Sequence, residues 1–125
     1  MKHNMVGWFE IPVANMERAK SFYDTVFGIE IQIQDFGGTL MGLFPSAENK
    51  SGASGSLIQN KAYVPSDSKG VLIYFSSEDI NTEINRVEAA GGKIVQQKTQ
   101  ISPDIGYMAL FIDCEGNRIA LHSRT

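Results

Sequence analysis

The feature that most constrains the fold of this 125-residue chain is an internal repeat. A single ungapped shift of 64 residues places the first half on the second, so that Asn15 falls on Asp79 and Gly28 falls on Gly92. A helix-capping residue, an apolar helical stripe and a glycine stop therefore recur in register. This recurrence predicts two tandem copies of one β-α-β-β-β unit.

The first copy spans about residues 1–62. Asn15 is a good N-cap, Gly28 supplies a left-handed stop, and Gly37-Gly38 favours a hairpin turn. The predicted elements are a strand at 5–13, a helix at 16–27 and strands at 29–34, 39–44 and 56–59, with residues 45–55 as a surface loop.

A polar linker at residues 61–70 leads into the second copy, which spans about residues 68–125. Its first strand is a continuous apolar run, which favours burial on both faces. Asp79 begins a helix with an apolar stripe at Ile80, Ile84, Val87 and Ala90, and Gly91-Gly92 ends it. The predicted strands lie at 71–76, 93–97, 107–112 and 118–122. Both copies together have the size of one α+β domain.

The composition excludes several classes of protein. The formal net charge is −3 and no cluster of basic residues occurs, so nucleic acid is not an expected partner. No apolar run reaches the roughly 20 residues that span a bilayer, and the first residues lack the apolar stretch of a signal peptide. Cys114 is the single cysteine, which excludes an intrachain disulfide. The expected location is the cytoplasm.

Two runs of sequence carry a resemblance to a known family. Ile-Pro-Val-Ala-Asn at 11–15, followed by Ser-Phe-Tyr at 21–23 and Val-Phe-Gly at 26–28, resembles the opening signature of the vicinal-oxygen-chelate (glyoxalase/bleomycin resistance/dioxygenase) superfamily. Asp-Cys-Glu-Gly-Asn-Arg-Ile at 113–119 is similar to its closing turn and strand. Within the superfamily, the chain most resembles an uncharacterised glyoxalase-related bacterial branch.

The resemblance implies a fold and a place for a ligand. The expected fold is a cup-shaped, eight-stranded mixed sheet of two βαβββ modules with the helices outside. A small organic molecule would bind in the concavity, which is a usual place for such a site. Homodimers are common in the superfamily, and a homodimer is expected here.

The resemblance also indicates where a metal would bind. In metal-dependent members, each half supplies one ligand from its first strand and one from its last. The matching positions here are Trp8, Ser56, Leu72 and Ala120. Divalent ions at such sites need imidazole or carboxylate donors, which these side chains do not provide. We therefore expect no metal and no other cofactor.

Glu10 is the candidate catalytic residue. Strand alternation places it on the same face as Trp8, inside the expected cup. A carboxylate in an aromatic cavity suits a general acid or base. The alternative is a structural glutamate that pairs with Arg118 or with a backbone amide.

The remaining candidate ligand-binding residues lie on the same expected face. Trp8, Leu72, Tyr74 and Ala120 would form an apolar, partly aromatic floor, or Trp8 would instead fill the pocket. Arg118 would hold an anionic group, and His122 would transfer protons or simply be a solvated residue at the end of a strand. Cys114 has no evident base nearby and is not an expected nucleophile.

Three functions remain open from the sequence. The first is a metal-independent lyase or isomerase with Glu10 as acid or base. The second is a protein that sequesters a small molecule without catalysis, as resistance proteins of this superfamily do. The third is an interaction module in which Trp8 closes the cup. Fold alone does not choose among them.

Overall fold

The computed structural model describes residues 2–125, which form two helices and eight strands. In chain order the elements are β1 (Trp8–Pro12), α1 (Met16–Phe27), β2 (Gln32–Phe36), β3 (Thr39–Leu43), β4 (Ser54–Gln59), β5 (Ile73–Ser76), α2 (Ile80–Val87), β6 (Lys93–Ser102), β7 (Gly106–Ile112) and β8 (Arg118–Ser123). The predicted α+β class and the tandem βαβββ modules are confirmed. Within these residues, neither helix is long and apolar enough to cross a bilayer.

The eight strands divide between two four-stranded mixed sheets, with orders β1-β4-β3-β2 and β5-β8-β7-β6. The internal repeat of the sequence is also seen in the way the strands pair. Glu10 lies opposite Ser56 in the parallel pair β1/β4, and Tyr74 lies opposite Ala120 in the parallel pair β5/β8. These two pairs are related by the same 64-residue shift that relates the sequences. In each sheet the first strand of the module is an edge strand.

The helix boundaries follow local signals, with one correction. The Asn15 side chain accepts a hydrogen bond from the amide of Arg18, and Gly28 adopts a left-handed conformation with φ of 64°. Helix α2 ends at Val87, earlier than the predicted stop at Gly91-Gly92. The amide of Gly91 bonds to the carbonyl of Glu88, a tighter spacing that ends the regular helix before the glycines.

Several strand boundaries differ from prediction because pairing partners decide them. Residues 5–7 have no partner strand, so β1 begins at Trp8. Ser54 and Gly55, predicted as loop, pair with Trp8 and Phe9. Strand β2 starts at Gln32 and continues to Phe36, and β6 continues to Ser102 through register irregularities opposite β7.

Strand β5 was predicted to be buried on both faces, and this is wrong. Tyr74 is 52% exposed and Val71, just before the strand, is 87% exposed, whereas Phe75 on the other face packs into the core. The core and α2 pack on one face of the sheet that contains β5, so the apolar run of β5 is covered on that face and meets solvent on the other.

The two modules share one apolar core, in which α1 contacts both sheets. The Phe22 ring lies 6.0 Å from that of Phe111 on β7, and the Tyr23 ring lies 6.3 Å from that of Phe75 on β5. The Tyr23 hydroxyl donates a 2.6 Å hydrogen bond to Asp113 Oδ2. Burial and this carboxylate raise the pKa of Tyr23 well above its usual value.

The turn between β7 and β8 fastens the second module to the first. The Glu115 carboxylate accepts hydrogen bonds from the amides of Ala14 and Asn15 and from Arg18 Nε at 2.6 Å. Asn117 Nδ2 donates to the carbonyl of Pro12 at 2.7 Å. A turn of the second module thus caps the first helix.

Candidate functional site

Among four clefts in the described part of the chain, the largest of the four, about 790 Å³, lies along the free edge of β5. Its walls come from residues 4–6, residues 45–47 and 51–54, strand residues 72–76, and Phe9. Because both Tyr74 and Phe75 line it, the cleft extends around the edge of the strand to both faces. None of these lining residues is charged, and none is a histidine.

A smaller apolar chamber of about 200 Å³ adjoins this cleft. The two share the residues Phe9, Pro45, Ala53, Ser54 and Phe75. The chamber is lined further by Phe27, Ile29 and Phe44. It is open at the cleft, so its aromatic side chains are only partly buried.

The four positions that correspond to a metal site do not fit a metal. Trp8 is 47% exposed and Leu72 is also exposed, whereas Ser56 and Ala120 are fully buried. Indole, isobutyl and methyl groups offer no ligand, and a lone hydroxyl is a weak one. No group of three or more His, Cys, Asp or Glu side chains within residues 2–125 is arranged to hold an ion.

Ser56, which the sequence singled out only as one of the four positions matched to a metal site, carries a hydroxyl that is unpaired within the described residues. This hydroxyl oxygen is the one buried side-chain polar atom within residues 2–125 that lacks a hydrogen-bond partner. Ser56 faces away from the core, as do its ladder partners Glu10 and Leu43. Buried polar atoms are normally paired, so this hydroxyl has an unused capacity to bond.

Glu10 lies on the same face as Trp8, in agreement with strand alternation. The Trp8 indole Nε1 donates to Glu10 Oε2 at 3.3 Å, and both side chains are exposed. The structural alternative, a pair between Glu10 and Arg118, does not form within the described residues. Arg118 Nε donates instead to the carbonyl of Asp67 at 3.0 Å.

The predicted ligand-binding residues are not gathered in one cavity. Leu72 and Tyr74 line the large cleft, whereas Arg118 borders a small cleft formed by the linker. The four main clefts of residues 2–125 are not lined by Trp8, Glu10, Ala120 or His122. The His122 ring is engaged through Nε2 with the carbonyl of Ile105 at 2.7 Å.

Cys114 lies beside the interface between the modules. Burial, together with the nearby Asp113 and Glu115 carboxylates, raises the pKa of its thiol to about 12. The thiolate is the nucleophilic form, and it is scarce at neutral pH for such a thiol. This chemistry agrees with the expectation that Cys114 is not a nucleophile.

Sequence reasoning missed the aromatic chamber, and it also missed the close packing of one of the chamber's rings, Phe9, on a strand glycine. Gly55 lies opposite Phe9 in the ladder, and a Cβ at Gly55 would approach the Phe9 carbonyl oxygen to 2.4 Å. A glycine inside a strand often marks such a close approach. Residues 54–55 were predicted as loop, so the signal was not used.

The sequence and the fold both have known relatives. Residues 5–121 match the Glyoxalase/Bleomycin resistance protein/Dioxygenase superfamily. A glyoxylase-like domain-containing protein from Didymella fabae is 26% identical over 127 residues, covering 98% of this chain and 95% of the relative.

Two solved structures illustrate the likeness of the fold. TnmS3, an antibiotic binding protein from Streptomyces sp. CB03234, is 23% identical with a TM-score of 0.71, covering 100% of this chain and 99% of that chain. The E144Q mutant of glyoxalase I from Zea mays is 21% identical with a TM-score of 0.72, covering 94% of this chain but 46% of the maize chain. This chain thus spans about half of the maize enzyme. With its signature runs, its tandem modules and the match over residues 5–121, the chain belongs to the Glyoxalase/Bleomycin resistance protein/Dioxygenase superfamily.

Proposed function

We propose that this protein binds a small organic molecule without a metal and without transforming it. The observation that carries this proposal is the lining of the largest cleft. Its volume of about 790 Å³ is within the usual range for small-molecule sites, yet its walls contain no acid, no histidine and no amine. Such a surface retains a ligand but has few groups able to move protons.

A protein of the same fold supports binding over catalysis. TnmS3, whose whole length this chain matches, is an antibiotic binding protein. The proposal for this chain is a similar sequestering role. The positions that correspond to the superfamily's metal site lack donors, which agrees with a function that needs no metal.

The proposal is tested with metal-free protein and a library of metabolites and antibiotics, scored by native mass spectrometry and thermal shift. A compound that binds only the folded state raises the melting temperature. We expect Tyr74→Ala to weaken the best compound about tenfold, because Tyr74 lines the cleft and supplies a large contact surface.

Tyr63→Ala is the matched control, because Tyr63 is similarly exposed but lines a different groove. Its binding should stay within about twofold of the wild type. Equal losses in the two variants would contradict the assignment of the cleft. Stoichiometric zinc, nickel or iron at Trp8, Ser56, Leu72 and Ala120 would contradict metal-free function.

A metal-independent lyase or isomerase is the second candidate, and one observation favours it. Glu10 lies opposite Ser56 in the β1/β4 ladder, and the buried Ser56 hydroxyl has no partner within the described residues. With Glu10 as acid or base, Glu10→Gln should abolish conversion of a bound compound and leave its affinity within about twofold. Unchanged ligand recovered from both proteins would instead support sequestration. The expected homodimer stays a prediction, which light scattering on the purified protein tests.

A further inference from the structure

We infer that the ligand is an uncharged, flat aromatic compound whose ring system enters the aromatic chamber beside the cleft. This inference rests on the proposed small-molecule binding and adds the chemical class of the ligand and the place where its rings bind. It is carried by two features of the described residues: the aromatic lining of the chamber and the absence of charged residues from that lining.

The chamber presents aromatic side chains that the core has left incompletely covered. The buried core side chains are at most 4% exposed, whereas Phe9, Phe27, Phe44 and Phe75 are all only partly buried. These four rings surround a single space of about 200 Å³. An apolar cavity of roughly 150 Å³ is known to accept benzene, so this chamber has room for an aromatic ring system.

The rings are arranged to receive another ring. Phe75 lies edge-on to Phe9 with centroids 5.7 Å apart, and it is tilted against Phe27 at 4.8 Å and against Phe44 at 5.5 Å. These distances place the rings in contact with one another, so the wall of the chamber is a continuous aromatic cluster. A flat aromatic guest can therefore form favourable offset or edge contacts without moving the wall.

The surroundings exclude a charged guest. Neither the chamber nor the adjoining cleft is lined by a charged residue or a histidine, although 20% of the chain is charged. A carboxylate or ammonium group there would lose its hydration and find no counter-charge. The polar side chains of the two linings are hydroxyls and an amide, from Ser46, Ser51, Ser54, Ser76, Tyr74 and Asn4, and Ser54 lines the chamber as well as the cleft. These suit carbonyl or hydroxyl substituents on the guest.

Gly55 allows the Phe9 ring, which is part of the chamber wall, to pack closely on β4 in the first module. In that module the ladder pairs Phe9 with Gly55, and the Phe9 ring lies directly over the missing side chain. In the second module the equivalent pair is Ile73 and Ile119, and Ile119 is buried in the core. The same ladder position therefore holds a ring packed over a glycine in the first module and two isoleucines in the second.

The test uses two dyes that share one ring system and differ in charge. N-phenylnaphthylamine is neutral, and anilinonaphthalene sulfonate adds a sulfonate to the same rings; both fluoresce when they enter an apolar site. We expect the full-length protein to bind the neutral dye at least about tenfold more tightly, because the sulfonate has no partner in the chamber.

Two alanine-to-leucine variants locate the dye. Ala53 lines both the chamber and the cleft, whereas Ala47 lines the cleft alone. Ala53→Leu should weaken the neutral dye at least about tenfold, and Ala47→Leu should change its affinity less than about twofold. Melting temperatures close to that of the wild type will show that both variants fold.

Each other outcome overturns the inference. If the protein binds the two dyes with equal affinity, the ligand need not be uncharged. If Ala53→Leu binds the neutral dye as tightly as the wild type, the dye does not bind in the chamber. In both cases small-molecule binding itself still stands. If neither dye binds, the chamber is not a ligand site, and the metabolite library alone then decides the proposed function.

Discussion

Among single residues, Gly55 has a large effect on packing although it has no side chain. It lies in β4 opposite Phe9, where any side chain would collide with the Phe9 ring and backbone. The same strand carries Ser56, whose hydroxyl is buried without a partner in the described part of the chain. Neither the close packing at Gly55 nor the unpaired hydroxyl of Ser56 can be predicted from residue type. Each depends on which residue of the neighbouring strand lies opposite. The sequence predicted the N-cap at Asn15 because a cap is a local contact.

Gly55→Ala should destabilise the protein by about 1 to 3 kcal/mol, the usual cost of overpacking a filled site. The added methyl group would lie within 2.6 Å of the Phe9 ring. Urea unfolding followed by circular dichroism measures the change in free energy. Gly7→Ala is the matched control, since no atom lies within 4 Å of a Cβ built at Gly7. Equal stability of the two variants would contradict the packing described for Gly55.

Among the secondary structure elements, α1 depends on a residue far away in sequence. Its first turn is capped by Asn15, as predicted, and also by Glu115 from the turn between β7 and β8. The Glu115 side chain is fully buried. Burial by itself would raise the pKa of Glu115. The hydrogen bonds from Arg18, Ala14 and Asn15 outweigh that effect and hold it below the usual value of about 4.5.

Glu115→Gln should therefore lower the free energy of unfolding by about 1 to 3 kcal/mol at neutral pH, because a buried, charge-assisted interaction is lost. A depressed carboxyl pKa adds stability above the ordinary value, and this stability is lost as pH falls through the lower, folded value. The gap between wild type and variant should thus be full above about pH 5 and should shrink in more acidic solution. Thermal unfolding at a series of pH values measures it.

The control for this comparison is Glu17→Gln, at an exposed position in the first turn of the same helix. It tests whether any loss of negative charge near the helix start has the same effect. A gap between wild type and Glu115→Gln that does not change with pH would contradict the role given to the carboxylate.

For the whole molecule, the sequence predicted the tandem modules because strand, cap, stripe and stop recur at one shift. The four positions that the resemblance matched to metal ligands follow from an alignment, so their lack of imidazole and carboxylate groups can be read directly from the sequence. The sequence did not predict the large cleft, whose walls come from residues 4–6, 45–47, 51–54 and 72–76 and from Phe9. These parts of the chain come together only when the modules pack against each other. That packing is decided by long-range contacts such as those of Phe75 with Phe9 and Phe44.

The loop at residues 45–53 has a consequence for how such proteins diversify. Its counterpart in the other module includes the turn that holds Asp113, Glu115 and Asn117 in hydrogen bonds across the modules. Within residues 2–125, no hydrogen bond joins residues 45–53 to another part of the chain. The two copies of this segment therefore differ in role. The copy in the second module joins the modules through hydrogen bonds, and within the described residues the copy in the first module does not. Selection for a new ligand can act on the copy in the first module while the other copy preserves the fold.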